Sequence, residues 1–139
     1  MGLKMTRDEL TTFLDQEFPQ VEGDFAIEEV GEMRVRVRLL VGERHLRPGG
    51  TVSGPSIFAL ADVTVYLATL AMIGPKALAV TTNCSIDFMR KPVAGVDLIA
   101  ECRLLKLGKV LSVGDVLIFS EGMEAPVARA SLTYAIPPR

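Results

Sequence analysis

Asp62 is the residue of this 139-residue sequence whose surroundings demand a chemical explanation. From Ile57 to Ile73 the chain is apolar almost throughout, and Asp62 is the only charge in the run. A carboxylate buried without partners costs several kcal/mol, so this one must be protonated, paired, or turned toward a polar pocket. Two readings follow. One is a structural aspartate hydrogen-bonded to nearby backbone; the other is a general base or nucleophile. The segment ahead of it, Gly49-Gly50-Thr51-Val52-Ser53-Gly54, feeds the start of a helix. The free N–H groups and dipole of a helix N-terminus can hold a developing oxyanion. Asp62 lies about two turns beyond that start, roughly 12 Å at 1.5 Å per residue. Base and oxyanion donor can therefore meet only if Asp62 faces the N-terminus of a second helix, from another copy of the chain. The expectation is a homodimer with composite sites; the geometry leaves open whether two such dimers pair into a dimer of dimers.

Other chemistries lack their residues. Gly49 and Gly54 have the separation of the two P-loop glycines, but Pro55 stands where the lysine must reach a phosphate. Neither Ser53 nor Ser56 sits in a Gly-x-Ser-x-Gly turn. The single histidine, His45, lies in a loop without the partners that orient a catalytic imidazole, and is expected at the surface. Cys84 and Cys102 occupy alternating apolar stretches, with no Cys-x-x-Cys and no His/Cys cluster. They read as free core cysteines of a cytoplasmic protein, and no metal site is expected. A net charge of −2 argues against a nucleic-acid partner. The N-terminal MGLKMTRDELTTFLDQEF has no apolar h-region, so no signal peptide is expected. The Ile57–Ile73 run falls short of the roughly 20 residues of a membrane span and is bounded by Gly54-Pro55 and Gly74-Pro75. No membrane role is expected; a helix apolar all round is then one wrapped by protein.

The elements that must position these residues can be traced along the chain. Thr6 and Glu9 form a capping box for an amphipathic helix with Leu10, Phe13 and Leu14 on its apolar side, ended by Pro19. Phe25–Val30 reads as a weak strand. Met33–Leu39 reads as a strong one, with Arg34, Arg36 and Arg38 on its polar face, solvated or paired to a neighbouring strand. A loop from Gly42 to Ser53 precedes the apolar helix, placed at about Ser56–Met72 with Ser53 or Gly54 as cap and Pro55 in its first turn. Strands follow at Leu78–Arg90, Val96–Leu107, Val110–Phe119 and Val127–Ile136, spaced as in an antiparallel meander. The fold class is α+β: a single domain over 1–139, with an N-terminal helix in 1–20 and one long central helix wrapped by a curled antiparallel sheet of five or six strands.

Gly50-Thr51-Val52-Ser53-Gly54-Pro55-Ser56-Ile57-Phe58-Ala59-Leu60-Ala61-Asp62 resembles the signature segment of the PaaI-like hot-dog acyl-CoA thioesterases, in which Asn-x-x-Gly-x-x-His-Gly-Gly precedes a helix carrying Leu-x-Asp. Phe88-Met89-Arg90-Lys91-Pro92 is similar to the family's aromatic-aliphatic-Arg-Pro strand end, with one residue more, and Gly95 and Gly108-Lys109 fall at its turns. The resemblance covers the chain from about Phe25 to Tyr134. It implies Asp62 as catalytic base or nucleophile and Gly54 as the residue whose N–H polarises the thioester carbonyl. It implies Gly50, Ser53 and Arg47 along the substrate, and Thr81 or Thr82 as the hydroxyl on the central strand that helps hold water. No cofactor is implied, since CoA is part of the substrate. Two positions depart from the pattern: Arg47 replaces the family Asn and Ser53 its His. The activity implied is hydrolysis of acyl- or aryl-CoA thioesters to free acid and CoA. The alternative is an acyl-CoA-binding protein of the same fold without turnover. The hydratase branch of the fold needs an Asp/His pair that His45 is not placed to supply.

Overall fold

The computed structural model describes residues 2–138. The chain runs through α1 (Arg7–Glu17), a 3-10 turn (Pro19–Val21), β1 (Phe25–Gly31), β2 (Arg34–Leu39), a second 3-10 turn (Glu43–His45), α2 (Gly54–Ile73), β3 (Val80–Phe88), β4 (Leu98–Leu107), β5 (Leu111–Ser120) and β6 (Ala128–Ala135). All strand pairs are antiparallel. The spatial order is β1-β2-β4-β5-β6-β3. This is not the plain meander expected from turn spacing. Only β1-β2 and β4-β5-β6 follow one another in that way. The chain leaves β2 through α2, crosses the concave face of the sheet, and enters β3 at the far edge beside β6. Turn spacing reports strand lengths, and a crossover helix is invisible to it.

Helix α2 packs against all six strands, so the sheet must curl around it. That explains its composition. With mean hydropathy 1.9 it is apolar enough to cross a membrane, yet 72% of that stretch is buried within the protein. Its polar groups are satisfied locally: the Thr64 and Thr69 hydroxyls donate to the carbonyls of Leu60 (2.6 Å) and Val65 (2.8 Å), and Thr69 also meets Ser112 at 2.9 Å. The helix ends at Gly74, whose φ of 95° needs a residue without Cβ and whose N–H bonds back to Leu70. The core side of the sheet is formed by alternating residues: Leu98, Ala100, Cys102 and Leu104 on β4, and Ala128, Ala130, Leu132 and Tyr134 on β6, are all buried.

On the outer face the three arginines of β2 are paired. Arg34 lies 3.9 Å from Glu29. Arg36 bonds Glu28 (3.0 Å) and approaches Glu101 (3.4 Å); Arg38 bonds Glu28 (2.6 Å), Asp97 (3.1 Å) and Glu121 (2.8 Å). The capping box of α1 forms as expected, with Thr6 N–H donating to Glu9 Oε1 at 2.9 Å and Glu9 N–H to Thr6 Oγ1 at 3.2 Å. Leu10 and Leu14 fix α1 to the core, and the Lys4 N–H donates to the Ala71 carbonyl at 2.7 Å. Of the two cysteines, both free, Cys102 is buried but Cys84 is only half-buried, because β3 is a sheet edge.

Candidate active site

Asp62 sits in the third turn of α2, where β3 and β6 pass over the helix. The Thr81 hydroxyl donates to Asp62 Oδ1 at 2.5 Å. The Tyr134 hydroxyl lies 2.8 Å from the same oxygen and 3.0 Å from the Asp62 carbonyl. Two donors therefore converge on one carboxylate oxygen. Oδ2 takes no hydrogen bond among the described residues, and Asp62 borders a cavity of about 420 Å³, lined on this side also by Tyr66, Ala79, Val80, Thr81 and Tyr134. Tyr66 is buried, donates to the Ala77 carbonyl at 3.0 Å, and lies 5.9 Å from Tyr134 between ring centroids. Burial, and then the negative charge of Asp62, hold the Tyr134 phenol well above its ordinary range, so it remains a proton donor. The same two causes push the Cys84 thiol up, which keeps it from being a thiolate nucleophile beside the carboxylate.

A β-bulge decides which threonine reaches Asp62. Thr81 pairs with Tyr134, but Asn83 already pairs with Thr133, so Thr82 is the extra residue. Strict alternation from Ile86 and Cys84 would turn Thr82 inward. The bulge shifts the parity and turns Thr81 inward instead. Thr82 is exposed, and its hydroxyl bonds the Thr133 carbonyl at 3.3 Å. The sequence-based pair of candidates thus reduces to Thr81, and Thr82 lies outside the site.

The other candidates gather at the start of α2. Ser53 is the N-cap, accepting the Ser56 N–H at 3.4 Å, with the two hydroxyls 3.1 Å apart. Gly54 is the first helical residue, and its N–H has no hydrogen-bond partner among the described residues. Phe88 of β3 leans over it; a Cβ on Gly54 would lie 3.6 Å from Phe88 Cζ. The loop before it is a small hairpin: Leu46 bridges Val52, Arg47 N–H donates to the Thr51 carbonyl (2.9 Å), and Gly50 N–H to the Arg47 carbonyl (3.0 Å). Gly50 takes a φ of 84° at its tip. The Arg47 side chain is exposed and does not line the Asp62 cavity. Within one chain, then, Asp62 and Thr81 come together, whereas Gly54 lies about 12 Å away along the helix axis, at the end that Ser53 caps and that the loop of Arg47 and Gly50 leads into.

His45 departs from the surface position expected of it. It is 6% exposed. Its Nδ1 accepts the Gly42 N–H at 2.9 Å, its carbonyl accepts the Ser53 N–H at 2.8 Å, and its Nε2 lies 3.3 Å from Asp24 Oδ1. The turn Glu43–His45 folds the ring under the loop, so His45 braces the hairpin that delivers Ser53 to the helix. Among the described residues no group of three or more His, Cys, Asp or Glu gathers to offer a cation site.

The Thioesterase superfamily model matches residues 49–127, from the hairpin tip to the threshold of β6. The chain belongs to the Thioesterase superfamily. Among solved structures it is similar to a protein of Silicibacter sp. TM1040 described provisionally as a thioesterase, with 60% identity, coverage of 99% of this chain and 96% of that one, and a TM-score of 0.93. It is also similar to a variant of the phenylacetic acid degradation protein PaaI from Thermus thermophilus, at 28% identity over 86% of this chain and 99% of that one, TM-score 0.74. A protein of Streptococcus mutans UA159 bound to acetyl CoA matches at 25% identity over 86% of this chain and 93% of that one, TM-score 0.74. A curated protein of Archaeoglobus fulgidus, described provisionally as an esterase, is 34% identical over 85 residues. Those residues are 61% of this chain and 53% of that protein, so the chain aligns with about half the length of that curated relative. These matches bear out the hot-dog fold and the PaaI-like resemblance.

Reasoning from sequence does not single out Tyr134, which ends the alternating apolar stripe Ala128, Ala130, Leu132 of the last strand. A tyrosine is the one residue on that stripe with a polar tip, and a buried phenol needs a partner; an unpaired carboxylate on the facing helix was the available one.

Proposed function

We propose that this protein hydrolyses acyl-CoA or aryl-CoA thioesters to the free acid and CoA, in sites completed by a second copy of the chain. The observation that carries the proposal is the asymmetry of the Asp62 carboxylate at the border of a cavity: Oδ1 is held by Thr81 and Tyr134, while Oδ2 has no hydrogen-bond partner among the described residues. Such a group is oriented as a general base. Oδ2 takes a proton from a water molecule as the water oxygen attacks the thioester carbonyl carbon. The oxyanion that forms is met by the Gly54 N–H of the partner subunit at the start of its α2. The tetrahedral intermediate collapses with cleavage of the C–S bond, and the proton held at Oδ2 passes to the departing sulfur. An oxyanion donor is worth roughly 2.7–4 kcal/mol in hydrolases and a general base roughly 10²–10⁴-fold, which suffices for an already electrophilic thioester.

The second copy is supported by the sheet. β3 is an edge of nine residues whose outer side has no strand beside it, with exposed Val80 and Phe88 at its ends. Edges of that length are normally covered. Acyl-CoA as substrate class is supported by the acetyl CoA carried by the S. mutans protein. Arg47, at the same end as Gly54, supplies five donors and a fixed charge for a CoA phosphate or the thioester carbonyl.

The test is thiol release from a panel of acyl- and aryl-CoA thioesters by wild type and Asp62→Asn. Turnover by wild type that falls at least about 100-fold in Asp62→Asn is the expected result. Tight binding of the panel without thiol release refutes hydrolysis and leaves the non-catalytic binder, the reading that the Arg47 and Ser53 departures favour.

A further inference from the structure

The cavity that Asp62 borders is also bordered by the N-terminal part of the chain. Its far wall is made by Glu17 and Phe18 at the end of α1 and by Gln20 in the following turn. That wall lies outside residues 49–127, the part shared with the superfamily model. Its backbone is nevertheless anchored, while the side chains of Glu17, Phe18 and Gln20 are exposed. Leu10 and Leu14 are buried, the Phe18 N–H closes α1 onto the Leu14 carbonyl at 2.8 Å, and Pro19 forces the chain into the 3-10 turn. Beside Asp62 and Thr81, the rest of the lining is Val63, Ala77, Ala79, Val80 and the two tyrosines, Tyr66 and Tyr134. Two ionisable acids, Glu17 and Asp62, border the cavity, and no lysine, arginine or histidine among the described residues does. Glu17 acts on this space: after burial, its negative charge is the second cause that pushes the Tyr66 phenol up. The Tyr66 proton is committed to the Ala77 carbonyl, so it is not free to neutralise an anion.

We infer that this cavity is the acyl pocket and that its N-terminal wall, through Glu17, selects uncharged acyl groups and rejects acyl groups that end in a carboxylate. The inference rests on the thioesterase reading for the position of the reacting carbonyl beside Asp62. From there CoA must lead outward, because a cavity of about 420 Å³ is of the size that holds one small ligand and not a nucleotide with its acyl chain. The acyl group is what remains to enter. A methyl end meets Phe18, Val63 and alanine side chains and gains by leaving water. A carboxylate end of the same length loses its hydration and meets two like charges without a cation to pair with.

The test compares binding of two CoA thioethers that cannot be hydrolysed and differ only at the distal end, S-hexyl-CoA and S-(5-carboxypentyl)-CoA. Calorimetry on the full chain gives the ratio of their dissociation constants for wild type, Glu17→Gln and Glu17→Lys. The CoA portion is common to both and cancels. The expected ratio favours S-hexyl-CoA by about tenfold or more in wild type and narrows at least about fivefold in Glu17→Lys, with Glu17→Gln between. Equal affinities in wild type, or a ratio unmoved by both substitutions, overturns the inference. Because no turnover enters the measurement, a preference that is present in a protein releasing no thiol from any thioester refutes the hydrolase reading and leaves the pocket assignment standing.

Discussion

Removing the hydroxyls that hold Asp62 Oδ1 tests whether the carboxylate is an oriented base or merely a tolerated charge. Tyr134→Phe deletes the donor at 2.8 Å and keeps the ring that packs on Tyr66. Thr81→Val deletes the donor at 2.5 Å and keeps the branched shape. A hydrogen bond to a charged group contributes about 1.5–3 kcal/mol. At about 1.36 kcal/mol per factor of ten, full loss of one such bond in the transition state is about 10–150-fold in rate. In each single variant the other hydroxyl still grips Oδ1, so the expected fall in kcat is near the lower end, about tenfold. With both removed the carboxylate can rotate about its Cβ–Cγ bond, so the double variant should fall further than the product of the singles, with a coupling of about 1 kcal/mol. Thr82→Val is the internal control. It sits one residue away on the same strand but bonds the Thr133 carbonyl, and it should leave kcat within about twofold. Steady-state thiol release, with thermal midpoints recorded alongside, gives all four numbers. Retention of wild-type kcat within about twofold in both single variants, or equal losses for Thr81→Val and Thr82→Val, would show that the two hydroxyls do not orient a base.

Four further outcomes are expected. Mixing Asp62→Asn with Gly54→Pro, a residue accepted at the first helical position, should restore about one quarter of wild-type activity, since random pairing gives half mixed dimers with one intact site each; no recovery from the two inactive parents excludes a shared site. Gly114→Ala should destabilise by about 1–3 kcal/mol in urea unfolding, because the new methyl would lie 3.0 Å from both Val65 methyls and 3.3 Å from Cys102 Sγ. Burial pushes the Glu28 carboxyl up, but the bonds and charges of Arg38 and Arg36 outweigh it and leave it below the ordinary 4.5; folding thus favours its ionised form, the gain is present above that value and lost as pH falls through the lower folded value, and Glu28→Gln should lower the thermal midpoint at pH ~7 by an amount that shrinks progressively as pH falls below 4.5. Alkylation at pH ~8 should spare Cys102 until the protein unfolds, as read by mass spectrometry, since burial first and Asp115 second push its thiol up to about 12.

The parts of the molecule that were legible in advance are those where one local rule decides. Thr6 and Glu9 bond as any capping box does, whatever lies around them. The even-numbered stripe of β6 is buried because alternation is fixed by the pleat. Asp62 stood out because a charge on an all-apolar helix must have company, and that argument needs no structure. What could not be read was set by events between distant segments. The bulge at Thr82 exchanges the two faces of β3 at its start, and nothing in Thr81-Thr82-Asn83 distinguishes the residue that will be squeezed out; the choice is made by the register against β6. His45 is buried because its ring and carbonyl tie Gly42 to Ser53, a closure that appears only when the hairpin forms. The same distinction runs through the site. Asp62, Thr81 and Tyr134 are brought together by one protomer's sheet closing on its own helix. The Gly54 N–H lies about 12 Å along that same rigid helix, and no folding of a single chain can shorten the distance. A site that uses both must therefore be built from two helices running past each other, and the edge strand β3, which carries Thr81 near one end and Phe88 over Gly54 at the other, is the element whose pairing would bring one helix start to the other chain's carboxylate.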